Sequence, residues 1–424
     1  MKKLLSIALF VTTSLSISSQ EVNLAKFANA FNNGIVLKVS GSIEDWRFFE
    51  GLAKIEMGRK QGFIDKQGNV IIPPIYDWVG YFKNGLALVV KDKKCGYIDK
   101  TGKVIVPIDY DRLGEFHEGL AMAVRDELAG FVNESGNPAI SMFHEWCKDF
   151  HEGLARAKVS GKQGFIDKRG NFVFEVKYDY YQDFHDGLAL VRNYKMGRDG
   201  FIDKTGNLVI PLIYKDAKDF KDGFAKVKKD GKYGVINTSG KLVIPAEYDN
   251  IKDFHDGIAF VGKNGKYGFV NNSGKPITPF KYEYKDDSYF SDGLAGVKDG
   301  DKCGFVDING NVVIPFEYED FRPFKEGLAF VKKGSSRGYI DKTGKMVITV
   351  ECYSGGDFHE GMAWVKGFND KYALINKSGN LLTSFKYDRV SKFEEGVAYV
   401  GIIDDSNNDI IGLIDKNGRS TFDK

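Results

Sequence analysis

The chain has 424 residues, and its 60 lysine and arginine residues nearly balance its 58 aspartate and glutamate residues. A formal net charge of +2 provides no broad basic surface, which argues against nucleic acid as a partner. The chain contains only ten prolines, which excludes collagen-like and proline-linker architectures. Its 49 glycines and an aromatic content of 14% suit an all-β chain with many tight turns.

Residues 1–19 have the features of a secretory signal peptide. Lys2 and Lys3 form a charged start, residues 4–11 are apolar, and small residues surround positions 16–19. The apolar run is too short to span a bilayer, and no later segment is long and apolar enough for a transmembrane helix. We therefore expect an exported protein, secreted or periplasmic, without a transmembrane segment.

Residues 20–46 predict an N-terminal cap on the segment that follows. Leu24, Phe27, Ala28 and Phe31 are spaced as one face of a helix, and residues 35–40 (IVLKVS) have the composition of a strand. Such a cap would cover the apolar face of the first repeat. A disordered leader is the alternative interpretation.

Residues 47–424 contain eleven copies of one pattern. Each copy begins with a glycine, an apolar residue and an alanine, and these glycines are 34 to 36 residues apart. A fixed period in this range indicates one supersecondary unit repeated many times. The glycines are Gly51, Gly85, Gly119, Gly153, Gly187, Gly223, Gly257, Gly293, Gly327, Gly361 and Gly396.

Each copy predicts three short strands, as in the copy that begins at Gly85. The strands are residues 86–90 (LALVV), 96–99 (GYID) and 104–107 (VIVP). A D/N-x-x-G turn joins the second strand to the third, because Asp or Asn can bond its own backbone there and Gly can adopt positive φ. Proline is expected to end the third strand, since it cannot continue a β-ladder. The invariant alanine indicates a second layer packed closely against the first strand.

The second and third strands carry apolar residues on both faces, as in residues 70–72 (VII) and 312–314 (VVI). Each small sheet should therefore be stacked between two others. Eleven units exceed the roughly four to eight blades of a usual propeller, and no swapped strand that would close a ring is evident. We expect an all-β, open superhelical array of about eleven three-stranded β-meander units, with closed β-propellers as the alternative.

The unit pattern G-F/Y-I/V-D/N-K-x-G-x-x-V/I-I-P-x-x-Y-D/E, joined to F-x-E/D-G-L-A-x-V, resembles the bacterial WG-repeat family over residues 48–422. The resemblance implies a β-repeat protein, often exported, and supplies no catalytic residues. One feature departs from the family, because the tryptophan expected before the second-strand glycine is absent. Its position holds Gln61, Cys95, Ala129, Gln163, Asp199, Tyr233, Tyr267, Cys303 or Arg337.

The sequence offers no motif of catalysis or cofactor binding. Asp and Asn interchange at the turn positions, which suits a turn and not an acid catalyst. Five of the six histidines occupy an F-H-D/E-G turn, one per copy, and sheets packed about 10 Å apart would keep them from sharing a metal ion. The four cysteines are expected to be reduced and buried, because the similar pairs lie six units apart.

The function expected from these patterns is that of an exported, non-enzymatic binding or scaffold protein that recognises a protein or a cell-envelope glycan. The candidate binding residues are Tyr76, Tyr110, Tyr178, Tyr248, His185 and Asp186, although the tyrosines could equally be structural. No metal, cofactor or nucleic acid is expected. The alternative is a glycan-active envelope hydrolase with a site in the third unit, where His144, Glu145 and Trp146 interrupt the pattern.

Overall fold

The computed structural model describes residues 37–38, 48–65, 69–255, 257–403, 409–420 and 422. The signal peptide predicted at residues 1–19 lies outside this part of the chain. Of the cap predicted at residues 20–46, only residues 37–38 are described, so the predicted helix also lies outside it.

Regular secondary structure in the described residues consists of β-strands, which form eleven antiparallel sheets. We call these sheets blades 1 to 11 in chain order. This arrangement confirms the prediction of an all-β repeat protein with about eleven units.

The strands of blades 1 to 6 are as follows. Blade 1 contains β2 (Phe48–Phe49), β3 (Leu52–Met57), β4 (Lys60–Asp65) and β5 (Val70–Tyr76). Blade 2 contains β6 (Trp78–Val79), β7 (Leu86–Lys91), β8 (Lys94–Asp99) and β9 (Val104–Tyr110). Blade 3 contains β10 (Arg112–His117), β11 (Leu120–Arg125), β12 (Leu128–Asn133) and β13 (Pro138–His144). Blade 4 contains β14 (Trp146–His151), β15 (Leu154–Val159), β16 (Lys162–Asp167) and β17 (Phe172–Glu175). Blade 5 contains β18 (Tyr180–His185), β19 (Leu188–Asn193), β20 (Arg198–Asp203) and β21 (Leu208–Tyr214). Blade 6 contains β22 (Asp216–Ala217), β23 (Phe224–Lys229), β24 (Lys232–Asn237) and β25 (Leu242–Tyr248).

The remaining blades follow the same plan. Blade 7 contains β26 (Asn250–Ile251), β27 (Ile258–Lys263) and β28 (Lys266–Asn271). Blade 8 contains β29 (Phe290–Ser291), β30 (Leu294–Asp299), β31 (Lys302–Asp307) and β32 (Val312–Tyr318). Blade 9 contains β33 (Asp320–Phe321), β34 (Ala329–Lys333), β35 (Ser336–Ile340) and β36 (Met346–Thr349). Blade 10 contains β37 (Ser354–Gly355), β38 (Met362–Lys366) and β39 (Tyr372–Asn376). Blade 11 contains β40 (Arg389–Val390), β41 (Val397–Ile403) and β42 (Asp409–Asp415), to which β1 (Leu37–Lys38) is added.

A typical blade has four strands, whereas the sequence predicted three. The additional strand is the first one, which pairs with the strand after the opening glycine, as Phe116 pairs with Ala121. It includes the invariant phenylalanine in blades 1, 3, 4, 5 and 8, and it ends before this residue in the other blades. It is only two residues long in most blades, so it leaves no alternating pattern for sequence reasoning to detect.

The fourth strand continues past its proline, which corrects the prediction that proline ends it. In blade 2 this strand extends from Val104 through Pro107 to Tyr110. Its pairing with the third strand shifts register between Cys95 and Tyr97, which marks a β-bulge. Proline is tolerated because the fourth strand is the edge of its sheet, where an N–H is not needed for a further strand.

Each pair of neighbouring blades encloses its own hydrophobic core. The invariant phenylalanine of one blade packs on an aromatic ring in the third strand of the preceding blade, with centroids 4.7 Å apart for Phe63–Phe82 and 4.8 Å for Phe201–Phe220. The invariant alanines are fully buried in these cores; Ala189 and Ala259 are both 0% exposed. The tight packing inferred from the invariant methyl group is therefore present.

The blades close into a ring, so the expected open array is wrong and the alternative, a closed β-propeller, is correct. Phe48 of blade 1 stacks on Tyr399 of blade 11 with centroids 6.0 Å apart. The two blades share a buried core that includes Ala53 and Leu413. The strand β1 lies next to β42 in the last blade, with Leu37 opposite Ile411. A segment that precedes blade 1 thus occupies the fourth-strand position of blade 11 and joins the two ends of the ring.

The first strands form the inner edge of the ring and the fourth strands form its outer edge. First strands of consecutive blades contact one another, as β10 contacts β14 and β14 contacts β18. Fourth strands instead present exposed apolar residues to solvent, among them Val104, Leu208 and Val312. The turns that link the first and second strands lie at one face of the ring, beside the turns that link the third and fourth strands.

Candidate functional site

In seven blades the acidic residue before the opening glycine accepts a hydrogen bond from the backbone of the next blade. Glu118 of blade 3 accepts a hydrogen bond from the Gly153 backbone N–H of blade 4 at 3.0 Å, and Lys168 lies 2.9 Å from the same carboxylate. Asp186, one of the sequence-predicted candidates, accepts a hydrogen bond from Gly223 N–H at 2.7 Å. These carboxylates therefore hold the blades together.

The tyrosines proposed as binding residues are mostly buried between neighbouring blades. Tyr76, Tyr110 and Tyr248 are buried, with 2 to 4% of their surface exposed, and Tyr178 is half-buried against the core between blades 4 and 5. Tyr76, Tyr110 and Tyr248 end their fourth strands, and all four tyrosines pack between blades. Their position corresponds to the structural interpretation of this series, and a ligand on the surface would meet little of the three buried rings.

The histidines of the first strands come together at the inner edge of blades 3, 4 and 5. The ring centroids of His117 and His151 are 5.4 Å apart, and those of His151 and His185 are 5.5 Å apart. Sheets pack about 10 Å apart face to face, so this short spacing arises because the blades converge toward the axis. The repeat pattern predicted these histidines in separate turns, one per copy. It contains no information about the convergence of the blades, which brings the three rings together.

Aspartates from the same first strands alternate with these histidines. His117 Nε2 is 3.7 Å from Asp149 Oδ2 of the next blade, and His151 Nε2 is 4.0 Å from Asp183 Oδ2. The equivalent aspartate of blade 6, Asp219, lies next to His185. We call these six side chains, His117, Asp149, His151, Asp183, His185 and Asp219, the histidine–aspartate row.

Only one aspartate of the histidine–aspartate row is paired with an arginine. Arg156 donates from Nε and Nη2 to the two oxygens of Asp183, at 2.7 and 2.9 Å. Arg156 is the third residue of its second strand, and the equivalent residues in blades 3 and 5 are Met122 and Leu190. Asp149 and Asp219 therefore face an apolar side chain where Asp183 faces a guanidinium.

The comparison with protein families fits this architecture. The model of the WG containing repeat matches ten consecutive segments, residues 62–95, 96–128, 130–162, 164–195, 200–233, 233–267, 267–303, 304–335, 338–372 and 372–402. The chain belongs to the WG-repeat family. None of the curated proteins compared with this WG-repeat protein matches it.

Solved structures resemble this WG-repeat protein only distantly. A eukaryotic initiation factor is 11% identical, with 87% of this chain and 94% of that chain covered and a TM-score of 0.36. BamB from Moraxella catarrhalis is 10% identical, with 80% and 99% covered and a TM-score of 0.27. Hsv2 from Kluyveromyces lactis is 13% identical, with 58% and 89% covered and a TM-score of 0.29. Likenesses of this size carry no argument about this chain.

The position of the family tryptophan is a contact between blades in this WG-repeat protein. Gln61 Oε1 accepts a hydrogen bond from the Val79 N–H of the next blade at 2.9 Å. Asp199, which is completely buried, accepts from Ala217 N–H at 2.8 Å and from Arg192 Nη2 at 2.7 Å. Gln61 and Asp199 thus support contacts between neighbouring blades.

Burial changes the acidity of the unpaired aspartates. It raises the pKa of the Asp149 carboxyl above its ordinary value, and His117 and His151 partly oppose the rise. Burial also raises the pKa of Asp219, against the opposing effect of His185. Asp219 Oδ1 has no hydrogen-bond partner in the described part of the chain. Both carboxylates are consequently less stable as anions than exposed ones, and a bound cation would stabilise them.

The residues that interrupt the third unit do not gather at one accessible site. His144 is completely buried in the position that tyrosine holds in other blades, and burial lowers its pKa. Glu145 is exposed and contacts Lys158 Nζ at 2.6 Å, as Asp111 contacts Lys94 in the preceding blade. Trp146 packs on the core between blades 4 and 5. A substrate could not reach the His144 ring in this arrangement.

The remaining candidate ligands are dispersed. Cys147, Cys303 and Cys352 are buried and Cys95 is half-buried, and these four thiols are free. No group of three histidine, cysteine or carboxylate side chains in the described ranges is arranged to hold a metal ion. Within those ranges no helix has the length and apolarity to cross a membrane.

Sequence reasoning named His185 but not the aspartates beside it. The signal was present, because Asp149, Asp183 and Asp219 each stand directly before the invariant phenylalanine of their unit. Their importance depends on the closed ring, which brings the first strands of successive blades together at the axis.

Proposed function

We propose that this WG-repeat protein is an exported, non-enzymatic binding protein that recognises a protein or a cell-envelope glycan. The observation that carries the proposal is the histidine–aspartate row. Its side chains are partly exposed, with 34% of the His117 and 35% of the Asp149 side-chain surface open to solvent. The acidic residues before the opening glycines, by contrast, are engaged in contacts between blades.

Export is proposed from the N-terminal sequence alone, because residues 1–19 combine a charged start, an apolar run and small residues. Expression of the full chain with a C-terminal tag, followed by fractionation and N-terminal sequencing, tests this point. Recovery of the uncleaved chain in the cytoplasm would contradict it.

A binding role without catalysis is supported by the way the ring uses its polar residues. Those that the sequence singled out in the third unit are buried or paired, and the repeated carboxylates support blade contacts. The polar side chains that remain open at the inner edge come from several consecutive blades. A surface built in this way suits an extended ligand that contacts several blades at once.

The experiment that tests the proposed function is capture from envelope extracts with the immobilised mature chain. A variant with Asp149, Asp183 and Asp219 all changed to Asn serves as the comparison, and Asp357→Asn in blade 10 is the matched control. We expect partners that the triple variant loses and the control retains. Turnover of peptidoglycan or polysaccharide by the purified protein, abolished by changing His144, Glu145 and Trp146 to Ala, would instead establish the hydrolase alternative.

A further inference from the structure

The inner edge of the ring is not electrically uniform. Five consecutive blades, 3 to 7, place an acidic residue directly before the invariant phenylalanine: Glu115, Asp149, Asp183, Asp219 and Asp253. The equivalent residues of blades 8, 9 and 11 are Tyr289, Pro323 and Lys392, and blade 10 has a single acidic residue, Asp357. The consecutive acidic residues therefore occupy one arc of the inner edge, and the histidine–aspartate row is the middle of that arc.

Basic side chains neutralise this arc unevenly. Lys83 lies 3.1 Å from Glu115 at one end, and Arg156 binds both oxygens of Asp183 in the middle. Asp149 and Asp219 have no lysine or arginine within ion-pair distance in the described ranges, although Lys148 and Lys218 are next to them in sequence. Two carboxylates of the histidine–aspartate row, those of Asp149 and Asp219, thus remain available to a cation from outside the chain.

The histidines between these carboxylates favour the same kind of ligand. The three imidazole rings form a continuous series with centroid spacings of 5.4 and 5.5 Å. A flat ring packs on the methylene groups of a long side chain. A lysine or arginine side chain would meet both a carboxylate and a flat ring along this edge.

We infer that the histidine–aspartate row is the binding site for a lysine- or arginine-bearing segment of a polypeptide, with Asp149 and Asp219 as the groups that pair with its cations. The inference rests on the proposed function and specifies the chemistry of the partner. It selects a basic polypeptide over a neutral glycan because the unpaired groups of the row are anionic. Asp183 does not pair with the ligand, because Arg156 already donates hydrogen bonds to both of its oxygens.

The test is the binding of a fluorescein-labelled penta-lysine peptide, measured by fluorescence anisotropy at low and at physiological ionic strength. We expect saturable binding that weakens with added salt. Changing both Asp149 and Asp219 to Asn should weaken it roughly tenfold, as expected for the loss of two partly exposed charge pairs. Penta-glutamate and a neutral chitin oligosaccharide are the control ligands and should not compete.

Two further variants make the test specific. Arg156→Met copies the residue that stands opposite Asp149, so it frees the Asp183 carboxylate and should strengthen penta-lysine binding roughly threefold. Asp357→Asn removes an aspartate at the same position in blade 10, where Arg322, Lys325 and His359 are nearby, and should leave binding unchanged. Circular dichroism and unfolding curves confirm that each variant is folded.

The outcomes separate this inference from the proposed function. Absence of saturable penta-lysine binding, equal losses in the row and Asp357→Asn variants, or weaker binding by Arg156→Met would each overturn the inference. Specific capture of a neutral glycan that depends on the row would overturn it too, while it would leave the proposed binding function intact. Loss of export or detection of row-independent catalysis would count against the proposed function alone.

Discussion

The properties of individual residues in this ring depend on what the neighbouring blade places opposite them. Asp149, Asp183 and Asp219 hold one sequence position, yet they face Met122, Arg156 and Leu190. Sequence reasoning recognised the repeated tyrosines and histidines, and it correctly allowed that the tyrosines could be structural. It could not show which of the aspartates is paired with a basic residue, because the side chain opposite each one comes from a strand of another blade, more than twenty residues away in the sequence.

The raised pKa of Asp219 leads to a prediction about stability and pH. Since burial raises this pKa in the folded state, ionisation of Asp219 opposes folding. The cost is absent below the unfolded-state pKa of about 3.9 and grows as pH rises through the higher folded-state value. Asp219→Asn should therefore unfold at a higher urea concentration than the unmodified protein at pH 7, and this advantage should shrink toward pH 4.

Asp183→Asn is the matched comparison for that experiment. It removes the carboxylate to which Arg156 donates two hydrogen bonds, so it should lower stability at pH 7. Urea unfolding followed by circular dichroism at several pH values measures both variants. A loss of stability in Asp219→Asn at pH 7 would show that its carboxylate has a favourable partner.

The fourth strand explains why a glycine is required before the aromatic residue of the third strand. A Cβ added to Gly200 would lie 2.5 Å from Ile210 O and 2.9 Å from the Pro211 carbonyl carbon. The backbone of the bulged fourth strand crosses directly over this glycine. The sequence pattern contained both the glycine and the proline, but it suggested a strand end because the bulge and the short first strand have no periodic signature.

Gly200→Ala should consequently destabilise the ring. We expect a loss of about 1–3 kcal/mol, the usual cost of forcing extra atoms into a packed interior. Blade 10 provides the comparison, because Ala373 stands at the equivalent position and the described residues of this blade form no fourth strand. Ala373→Gly should cost about 1–2 kcal/mol, from backbone entropy and the loss of a buried methyl group. Equal urea midpoints for Gly200→Ala and the unmodified protein would contradict the close approach of the fourth-strand backbone to Gly200.

At the scale of the whole molecule, the number of blades and the closure of the ring are separate questions. The period of 34 to 36 residues predicted eleven units correctly. Closure depended on β1, a pair of residues in a segment interpreted as a cap, and on complementary packing between Phe48 and Tyr399. Neither is visible in a repeat pattern, since a two-residue strand has no period and the first and last copies resemble all the others.

Closure predicts that the junction of the first and last blades is as important as an internal one. Phe48 and Phe220 are both buried members of the invariant phenylalanine series, and each packs on an aromatic ring of another blade. In a closed ring, Phe48→Ala should cost about 3–5 kcal/mol, the range typical of a buried phenylalanine, and Phe220→Ala should cost a similar amount. In an open array Phe48 would lie at a free end, and its loss would fray one terminal unit only. Urea unfolding of the two variants decides between these cases, and a Phe48→Ala midpoint close to that of the unmodified protein would mean that the ring is open in solution.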